Sequence, residues 1–390
     1  MTVNKWNIKL QRSSHLSWQP EKQAVKQSTS AEAAMALSRR RIAVLMSGGV
    51  DSSTAAYLLK QQGWDVLGIT MKVPVSTNAN KRTCCGTDAA FVCEELNIPH
   101  YFVDVTEAFE EIIIEPFRQS YAAGQTPNPC VDCNTFLKFS LVWDFLEEKF
   151  GIHYLATGHY ARIYKLGPEG TDGRVFLGKA KDSAKDQSYF LYGIASQRLA
   201  KLLLPLGELT KEQVRSIASD ANLPVAEKSE SMELCFAGEG NYRAVLTDAS
   251  ASQPGDITDM QGNKIAEHKG IANYTLGQRR GIGFAGGKPL YVGKIDAQKN
   301  TIALGTKDEV SSRTVSANQL NVLIPDELVV GGQFFGKIRS YVDSHPCKLV
   351  EVNKQTMTVE FDQPQFAPCP GQRLVLYNTK GYITAGGTII

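Results

Sequence analysis

The sequence lacks the features of a membrane or secreted protein. No run of about 18 apolar residues occurs, and the first thirty residues contain neither an apolar centre nor a small-residue cleavage site. We therefore expect a soluble, cytoplasmic chain with no membrane partner. In that reducing compartment a disulfide framework is not expected, so any grouping among the eight cysteines points to metal binding or thiol chemistry.

A large charge of one sign is also missing, since 42 Lys and Arg residues stand against 40 Asp and Glu residues, for a net charge of +2. Residues 1–41 hold eight of the basic residues and only two of the acidic ones. A polyanionic partner must therefore be held by local basic patches rather than by a general positive field. We expect residues 1–40 to form a disordered polar and basic tail, and an organelle transit peptide is the alternative interpretation of this composition.

The pattern of apolar residues divides the chain into domains, as expected for 390 residues. Between residues 41 and 245, short apolar strands alternate with helical patterns, which predicts an α/β domain with a parallel sheet. From residue 246 onward, Gly, Asp and Asn turns separate short runs rich in Val, Ile and Thr. This texture predicts one or two small β domains. We place two, a central β domain at 246–312 and a C-terminal domain at 313–390 that we expect to be a β-barrel.

A Gly-containing turn, SGGVDSS at 47–53, separates the first apolar strand from a helical pattern. Backbone N–H groups at such a turn point at one spot, where the helix dipole favours an anion. Gly48 and Gly49 would let phosphates approach closely, and Asp51 is expected to hold Mg²⁺ against a pyrophosphate. The alternative is an ordinary strand-to-helix turn with a Ser or Asp cap. No Gly-Lys-Ser/Thr follows, so this is not a Walker loop.

Two cysteines, Cys130 and Cys133, form a Cys-x-x-Cys pair in a proline-confined segment. The spacing fits a zinc half-site, a redox pair, or a pair in which one thiolate is a nucleophile. No second Cys-x-x-Cys or His pair completes a four-ligand zinc site, so a structural zinc is disfavoured. A further cysteine, Cys235, stands in the segment SMELCF at 231–236.

Taken together, six motifs resemble those of the tRNA-specific 2-thiouridylase family, which belongs to the PP-loop ATP pyrophosphatases. They are SGGVDSS at 47–53, TPNPCVDCN at 126–134, ATGHY at 156–160, KDQSY at 185–189, SMELCF at 231–236 and GQRRG at 277–281. The resemblance runs from about residue 41 to the C-terminus and implies a PP-loop ATP-binding domain at 41–245. It implies adenylation of the C2 oxygen of the tRNA wobble uridine by ATP, followed by displacement of AMP by a persulfide sulfur.

The resemblance also assigns roles to residues. Cys235 would carry a persulfide received from a sulfur-relay protein or a cysteine desulfurase, and Cys133 would release the sulfur and end in a disulfide with Cys235. The implied ATP site comprises Leu45, Met46, Ser47, Gly48, Gly49, Val50, Asp51, Ser52, Met71 and Gly158. The implied tRNA and base contacts are Asn128, Pro129, Cys130, Lys185, Asp186, Gln187, Arg339 and Ser340, with His159 and Gln372 flanking the site. Further basic candidates for the tRNA backbone are Arg279, Arg280 and Lys337.

The chain departs from the family pattern at two positions. Many relatives have Asp where this chain has Cys130, so Cys130, Cys133 and Cys235 offer three thiols that could hold three irons of a 4Fe-4S cluster. The cluster would then carry the sulfur in place of a persulfide. Ser340 stands where relatives commonly have Tyr, which weakens the tRNA contact assigned there.

Two other functions are compatible with the phosphate loop. A ligating or amidating enzyme of the same fold would use ammonia in place of sulfur and would need neither the cysteine arrangement nor a tRNA-sized basic surface. A non-catalytic RNA-binding module with a vestigial loop is disfavoured by the intact Asp51 and Ser52. The remaining cysteines are interpreted as core or loop thiols without a role in the chemistry: Cys84, Cys85, Cys93, Cys347 and Cys369.

Overall fold

A six-stranded sheet organises the N-terminal half of the protein, here described from a computed structural model. The structure describes residues 5–16, 18, 40–74, 85–165, 173–230, 234–237, 245–246, 253–284 and 287–390. Strands of this half are β1 (Lys9–Arg12), β2 (Arg41–Leu45), β3 (Asp65–Lys72), β4 (His100–Asp104), β5 (Tyr154–Thr157), β6 (Arg162–Lys165), β7 (Val175–Gly178) and β8 (Leu202–Leu203). The sheet has the order β1-β4-β3-β2-β5-β8, and β6 pairs with β7 in a separate hairpin.

The helices complete the alternating pattern. In chain order they are α1 (Val50–Gln61), α2 (Cys85–Glu95), α3 (Thr106–Phe109), α4 (Glu115–Ala122), α5 (Pro129–Asp132), α6 (Trp143–Phe150), α7 (Ser196–Leu199) and α8 (Lys211–Asp220). Within the described ranges, the structure also has two π-helices, Glu110–Ile114 and Cys133–Val142, and three short 3₁₀ helices, Ser188–Leu191, Ile271–Asn273 and Pro325–Glu327. The predicted α/β class is confirmed.

Strand β2 lies at the centre of the sheet, and every one of its residues is buried. It pairs in parallel with β3 on one side and with β5 on the other. A central strand covered on both faces reads as a continuous apolar run, which is why it stands out in the sequence. The chain builds outward from β2 to β4 and then crosses to β5 and β8, so β2 and β5 meet at a topological switch point. Ligands of open α/β sheets bind at such a point, beyond the carboxyl ends of the strands.

The N-terminal segment corrects one prediction. Strand β1 pairs antiparallel with β4, and Trp6 and Trp18 are buried. The backbone N–H of Trp18 donates to the Tyr101 hydroxyl at 3.3 Å, and the Arg41 guanidinium lies 4.1 Å from the Trp18 ring centre. The predicted disordered tail over 1–40 is therefore wrong for residues 5–16 and 18, because two Trp anchors and strand pairing outweigh a polar composition. The rest of that tail, 1–4, 17 and 19–39, lies outside the described residues.

The C-terminal half contains two β structures. A four-stranded sheet has the order β10-β9-β12-β11 and comprises β9 (Gly255–Asp259), β10 (Lys264–His268), β11 (Tyr291–Asp296) and β12 (Thr301–Gly305). A closed barrel has the order β13-β16-β15-β14-β17-β18 and comprises β13 (Ser311–Val322), β14 (Gln333–Lys337), β15 (His345–Val352), β16 (Thr356–Phe366), β17 (Arg373–Tyr377) and β18 (Ile383–Ile389). Inward-facing apolar residues of the barrel, such as Val359 and Leu374, form its core.

The chain divides into two compact units, each made of two segments. The first is Met1–Glu110 with Cys133–Gly238, and the second is Glu111–Asp132 with Glu239–Ile390. Segment Glu111–Asp132 was predicted within the N-terminal domain, yet it belongs to the second unit. Ala122 packs against the core of the four-stranded sheet, and the Thr126 N–H donates to the Pro370 carbonyl at 2.9 Å. Both contacts join residues far apart in sequence, so local patterns could not reveal them.

Candidate functional site

The loop between β2 and α1 has the geometry of a phosphate cradle. Gly48 adopts a left-handed conformation with φ of 70°, and Gly49 is the N-cap of α1. The Ser47 N–H donates to the Ser52 hydroxyl at 3.1 Å, and the Ser53 hydroxyl donates to the Gly49 carbonyl at 2.9 Å. Since a glycine cap has no side chain to accept the first N–H groups of α1, these donors are available to an anion.

The apolar members of the predicted ATP site contribute backbone rather than side chains to this loop. Leu45, Met46 and Val50 are buried in the core. The Met46 N–H donates to the Ile69 carbonyl of β3 at 2.7 Å, which fixes the start of the loop to the sheet. Met71 lies in the partly exposed end of β3. The predicted positions therefore gather at the carboxyl ends of neighbouring strands.

Gly158, which follows β5, packs directly on the loop. A Cβ atom at this position would lie 2.6 Å from the carbonyl carbon of Asp51 and 2.6 Å from the backbone N of Ser52. Such a contact cannot be relieved by a side-chain rotation, because backbone atoms are involved. The end of β5 therefore needs glycine in order to reach the loop.

The carboxylate of Asp51 is held by two groups that sequence analysis did not assign. Its Oδ1 accepts from the Tyr160 hydroxyl at 2.8 Å and from the Lys211 ammonium at 2.6 Å. Burial raises the pKa of Tyr160, and the negative charge of Asp51 raises it further. Tyr160 is therefore a neutral donor to Asp51 at neutral pH.

A chain of ion pairs extends from Asp51. The Lys211 ammonium also lies 2.7 Å from Oε1 of Glu230, and the ammonium of Lys185 lies 2.8 Å from Oε2 of the same residue. Hydrogen bonds from Lys185 and Lys211 lower the pKa of Glu230 to about 2. The predicted tRNA contact Lys185 is thus linked to the phosphate loop through Glu230 and Lys211.

A second lysine, Lys228, contacts the backbone of the loop. The ammonium of Lys228 donates to the Gly48 carbonyl at 2.8 Å and pairs with Asp88 of α2. Sequence analysis missed Lys211, Lys228 and Glu230. For Lys211 the usable signal was the capping box of α8, in which Thr210 and Gln213 bond each other's backbone, because it places the lysine at a helix start.

Asp186 and Gln187, two other predicted tRNA contacts, accept hydrogen bonds from backbone N–H groups of the first unit. Oδ1 of Asp186 accepts from the N–H groups of Ala180 at 3.0 Å and of Ser188 at 3.2 Å. Oε1 of Gln187 accepts from the Tyr160 N–H at 3.0 Å, and the Gln187 N–H donates to the Tyr160 carbonyl at 2.7 Å. Gln187 therefore positions the tyrosine that binds Asp51.

His159 lies next to Gly158, between the loop and a π-helix. Its Nδ1 is 2.8 Å from the Thr157 hydroxyl, and its ring centre is 6.1 Å from that of Phe139. Burial lowers the pKa of His159 to about 3, with a smaller effect from the charge of Lys138. The imidazole is therefore neutral at neutral pH and acts as a hydrogen-bonding group rather than as a cation.

The two predicted catalytic cysteines have different environments. Cys133 is buried and begins the π-helix Cys133–Val142, which carries Phe139 against His159. Cys235 is exposed, and its neighbour Phe236 packs against Phe109 with ring centres 5.8 Å apart. The start of its motif, 231–233, lies outside the described residues, as does Cys84. Cys93 and Cys347 are fully buried, and burial raises the pKa of each to about 12.

In the second unit, the predicted residues Asn128 and Gln372 lie together. The Asn128 side-chain amide donates to Oε1 of Gln372 at 3.4 Å, and the Gln372 amide donates to the Thr126 carbonyl at 3.1 Å. Oδ1 of Asn128 caps α5 by accepting from the Val131 N–H at 3.2 Å. The same short helix holds the buried Pro129 and the exposed Cys130.

The basic residues predicted in the barrel are more enclosed than expected. Arg339 is half-buried and donates to the Ala367 carbonyl at 2.7 Å and to the Cys369 sulfur at 2.7 Å. Lys337 is buried, and Ser340 is partly exposed. Arg339 thus joins parts of the second unit, whereas Arg279 and Arg280 are exposed.

Among the residues that the structure describes, no group of three or more His, Cys, Asp or Glu side chains is placed to hold a metal ion. No helix within the described ranges is long and apolar enough to cross a membrane.

Three protein-family models match consecutive parts of the chain. Residues 40–239 match the tRNA methyl transferase HUP domain, residues 243–306 the tRNA methyl transferase PRC-barrel domain, and residues 312–390 the aminomethyltransferase beta-barrel domain. The chain is therefore a HUP-type α/β protein with two C-terminal β domains.

Curated relatives narrow this class. The chain is 40% identical over 362 residues to the tRNA-specific 2-thiouridylase MnmA of Lachnoclostridium phytofermentans. The aligned region covers 90% of this chain and 99% of that relative. It is 41% identical over 356 residues to tRNA-specific 2-thiouridylase MnmA 1 of Syntrophus aciditrophicus, covering 90% and 93% respectively. The chain belongs to the tRNA-specific 2-thiouridylase family.

Proposed function

We propose that this protein is an ATP-dependent tRNA-uridine 2-sulfurtransferase that converts the wobble uridine of tRNA to 2-thiouridine and releases AMP and pyrophosphate. One observation carries the proposal beyond family membership. Gly158 packs on the phosphate loop, and the next residue, His159, packs on the π-helix that begins at Cys133. The loop proposed to bind ATP and the helix that begins at Cys133 therefore meet at two consecutive residues.

The first step uses the phosphate loop. The C2 oxygen of uridine would attack the α-phosphorus of ATP, and the bond between the α- and β-phosphates would break to release pyrophosphate. The N–H groups at the start of α1 and the ammonium of Lys211 would bind the leaving pyrophosphate. Asp51 would hold Mg²⁺, a hard cation suited to one carboxylate plus phosphate oxygens, and Mg²⁺ would supply charge neutralisation at the phosphates.

The second step uses the thiols. A persulfide on exposed Cys235, delivered by a sulfur-relay protein or a cysteine desulfurase, would attack C2 through its outer sulfur and expel AMP. The Cys133 thiolate would then attack the Cys235 sulfur and form a disulfide, so that the outer sulfur stays on the base. A dithiol reductant would restore both thiols. The base must leave its stack to reach the site, as in other enzymes that modify bases.

A cluster is the other candidate carrier of sulfur. A cluster on Cys130, Cys133 and Cys235 would carry the sulfur in place of the persulfide, and iron content under anaerobic purification distinguishes the two carriers. The proposed route runs through the persulfide, because the two thiols of Cys133 and Cys235 account for both transfer and release of the sulfur.

The test is nucleoside analysis of tRNA incubated with the protein, ATP, Mg²⁺ and a persulfide donor. We expect 2-thiouridine with the unaltered protein and none with Cys235→Ala, whereas Cys93→Ala, which alters a buried thiol of the same unit, should retain the reaction. Formation of AMP without a thiolated base would favour the ligase or amidating alternative. If neither AMP nor 2-thiouridine formed, the proposed function would be contradicted.

A further inference from the structure

One peptide group of the phosphate loop has an ammonium on its carbonyl side. The Lys228 ammonium donates to the Gly48 carbonyl oxygen at 2.8 Å. This carbonyl and the N–H of Gly49 belong to the same planar, trans peptide group, whose two polar ends point in opposite directions. The Gly49 N–H is therefore directed away from Lys228. Gly49 is the N-cap of α1, at the end of the helix where the dipole favours an anion.

The space beside Gly49 is open. Gly49 has φ of −100° and ψ of 165°, an extended conformation that any residue adopts. A Cβ atom built on Gly49 would have one neighbour within 4 Å among the described residues, the Ser47 Oγ at 3.5 Å. Neither backbone strain nor packing therefore requires a glycine at this position. Absence of a side chain instead leaves room for a ligand to lie against the backbone.

Lys228 is held in place through its backbone as well as through its side chain. Arg215 of α8 donates to the Ala226 carbonyl at 2.8 Å and to the Lys228 carbonyl at 3.2 Å. The Lys228 ammonium also pairs with Asp88 in the first turn of α2. The Asp88 side chain is 48% exposed, and exposed ion pairs contribute little to stability. The main effect of this pair is therefore to direct the ammonium rather than to stabilise the fold.

We propose that Lys228 is a positioning residue for nucleotide binding, which fixes the peptide group between Gly48 and Gly49 so that the Gly49 N–H donates to a phosphate oxygen. This inference rests on the proposed function, in which the loop binds the phosphates of ATP. A glycine pair is conformationally free, and rotation of its peptide group would turn a carbonyl acceptor toward the anion. The ammonium on the carbonyl opposes that rotation. It also polarises the peptide group, which strengthens the N–H as a donor.

The first measurement is calorimetric titration of the protein with ATP and Mg²⁺, without tRNA or a sulfur donor. In Lys228→Met, which removes the ammonium and keeps most of the stem, we expect the Kd for ATP to rise about tenfold, because a directed hydrogen bond to a charged phosphate is lost. Lys228→Arg retains donors for the Gly48 carbonyl and should stay within about twofold of the unaltered protein. Lys149→Met, which removes an exposed charge from α6, should leave the Kd unchanged.

Asp88→Asn separates the carbonyl contact from the ion pair. It removes the charge that pairs with Lys228 and leaves the ammonium on the Gly48 carbonyl, so we expect the Kd to rise by less than about threefold, as suits an exposed ion pair. An effect as large as that of Lys228→Met would assign the role to the ion pair and overturn the inference. An unchanged Kd in a folded Lys228→Met protein would overturn it as well.

The orientation of the peptide group is measured separately, in the protein without nucleotide. NMR spectra of protein labelled at glycine nitrogen are compared, and the loss of one resonance in Gly49→Ala assigns the Gly49 amide. We expect this resonance to shift in Lys228→Met, because the hydrogen bond on the carbonyl of its own peptide group is removed. It should move much less in Asp88→Asn.

An unchanged Gly49 resonance in a folded neutral variant would overturn the inference even if the Kd rose, because Lys228 would then act on the phosphates directly. Thermal unfolding shows which variants are folded, and Lys228→Gln provides a second neutral variant if Lys228→Met unfolds early. If the unaltered protein bound no ATP, the proposed function would be contradicted, whereas the Gly49 resonance would still decide whether Lys228 orients the loop.

Discussion

The hydroxyl of Tyr160 donates a hydrogen bond of 2.8 Å to Oδ1 of Asp51, the oxygen that also accepts from Lys211. Two donors on one carboxylate oxygen fix its orientation before a nucleotide binds. Tyr160 is in turn held by the Gln187 side chain, which accepts from its N–H at 3.0 Å. The arrangement is a pre-organised support for the phosphate loop, of the kind that reduces reorganisation during reaction.

Removing the phenolic hydroxyl tests this support. In Tyr160→Phe we expect AMP formation to slow about ten- to a hundredfold, since a hydrogen bond to a charged group contributes about 1.5–3 kcal/mol. Asp51→Asn should reduce the rate by at least about a hundredfold, because it also removes the predicted Mg²⁺ ligand. AMP release is measured with tRNA present. Tyr57→Phe, on the partly buried face of α1, is the control, and an equal effect there would show that packing rather than the Asp51 contact is responsible.

The close packing of Gly158 gives a second prediction. Gly158→Ala would bring its methyl group to 2.6 Å from the backbone of Asp51 and Ser52, so the loop must shift. We expect the KM for ATP to rise at least about tenfold, whereas tRNA binding should be retained, because the shift falls on the nucleotide loop. Steady-state kinetics and a tRNA filter assay measure the two effects. An unchanged KM would mean that the loop tolerates displacement.

His100 predicts a dependence of stability on pH. The ring is fully buried, with Nε2 2.8 Å from the Thr70 hydroxyl and Nδ1 bonded to Ser13. Burial lowers its pKa from 6.5 to about 4, so its stabilising contribution is complete above pH 6.5 and is lost as the pH falls toward 4. The loss amounts to about 3 kcal/mol, at about 1.4 kcal/mol per pKa unit.

Urea unfolding at pH 7.5, 5.5 and 4.5 measures this loss. His100→Gln has no titrating ring and should show a shallower decline of the unfolding free energy than the unaltered protein. His153→Gln, at an exposed position, should keep the full decline. Equal slopes in the two variants would rule out His100 as the source.

The paired N-terminal segment predicts an effect of truncation. Deleting residues 1–18 would uncover the edge of β4 and would remove Trp18, whose ring packs on the Arg41 guanidinium at the start of β2. We expect a lower melting temperature and concentration-dependent association, because an uncovered edge strand can pair with another chain. Calorimetry and light scattering measure both. Trp18→Ala should lower the melting temperature without causing association, since β1 stays in place.

The choice between persulfide and cluster is decided at Cys130. In Cys130→Asp, which removes one of the three thiols, we expect thiolation to persist and iron to stay well below one atom per chain in anaerobic preparations. A cluster would need all three thiols and would be lost in this variant. Stoichiometric iron in the unaltered protein, lost together with activity in Cys130→Asp, would support the cluster.

The sequence allowed prediction of those parts of the site that are local. The residues of the loop after β2 are consecutive in the sequence. Its glycines and serines therefore predict an anion-binding turn without knowledge of distant contacts. Lys211, Glu230 and Lys228 come from segments far along the chain, and isolated charged residues are ordinarily solvated. Their roles depend on tertiary placement that no local pattern encodes.

The same reasoning applies to the N-terminal segment and to the division of the chain into two units. The N-terminal tail reads as disordered because its composition is polar, yet Trp6 and Trp18 are enough to anchor its described residues. Segment Glu111–Asp132 has a helical pattern compatible with either half of the chain, and only contacts such as Thr126 with Pro370 assign it to the second unit. Amino-acid composition predicts the average tendency of a segment to be ordered. The order of the N-terminal segment and the placement of Glu111–Asp132 depend instead on a few specific contacts.

The ion pairs around the loop have a consequence for salt dependence. Asp51, Glu230 and Asp88 match Lys211, Lys185 and Lys228 in number, so the local side-chain charge is zero. In the proposed function, attraction of a nucleotide to this loop would therefore depend mainly on short-range contacts, above all the N–H groups, which are little screened by added electrolyte. A polynucleotide held through phosphate contacts instead releases counterions and loses affinity steeply as ionic strength rises. Raising potassium chloride should therefore release tRNA long before it weakens the affinity for ATP.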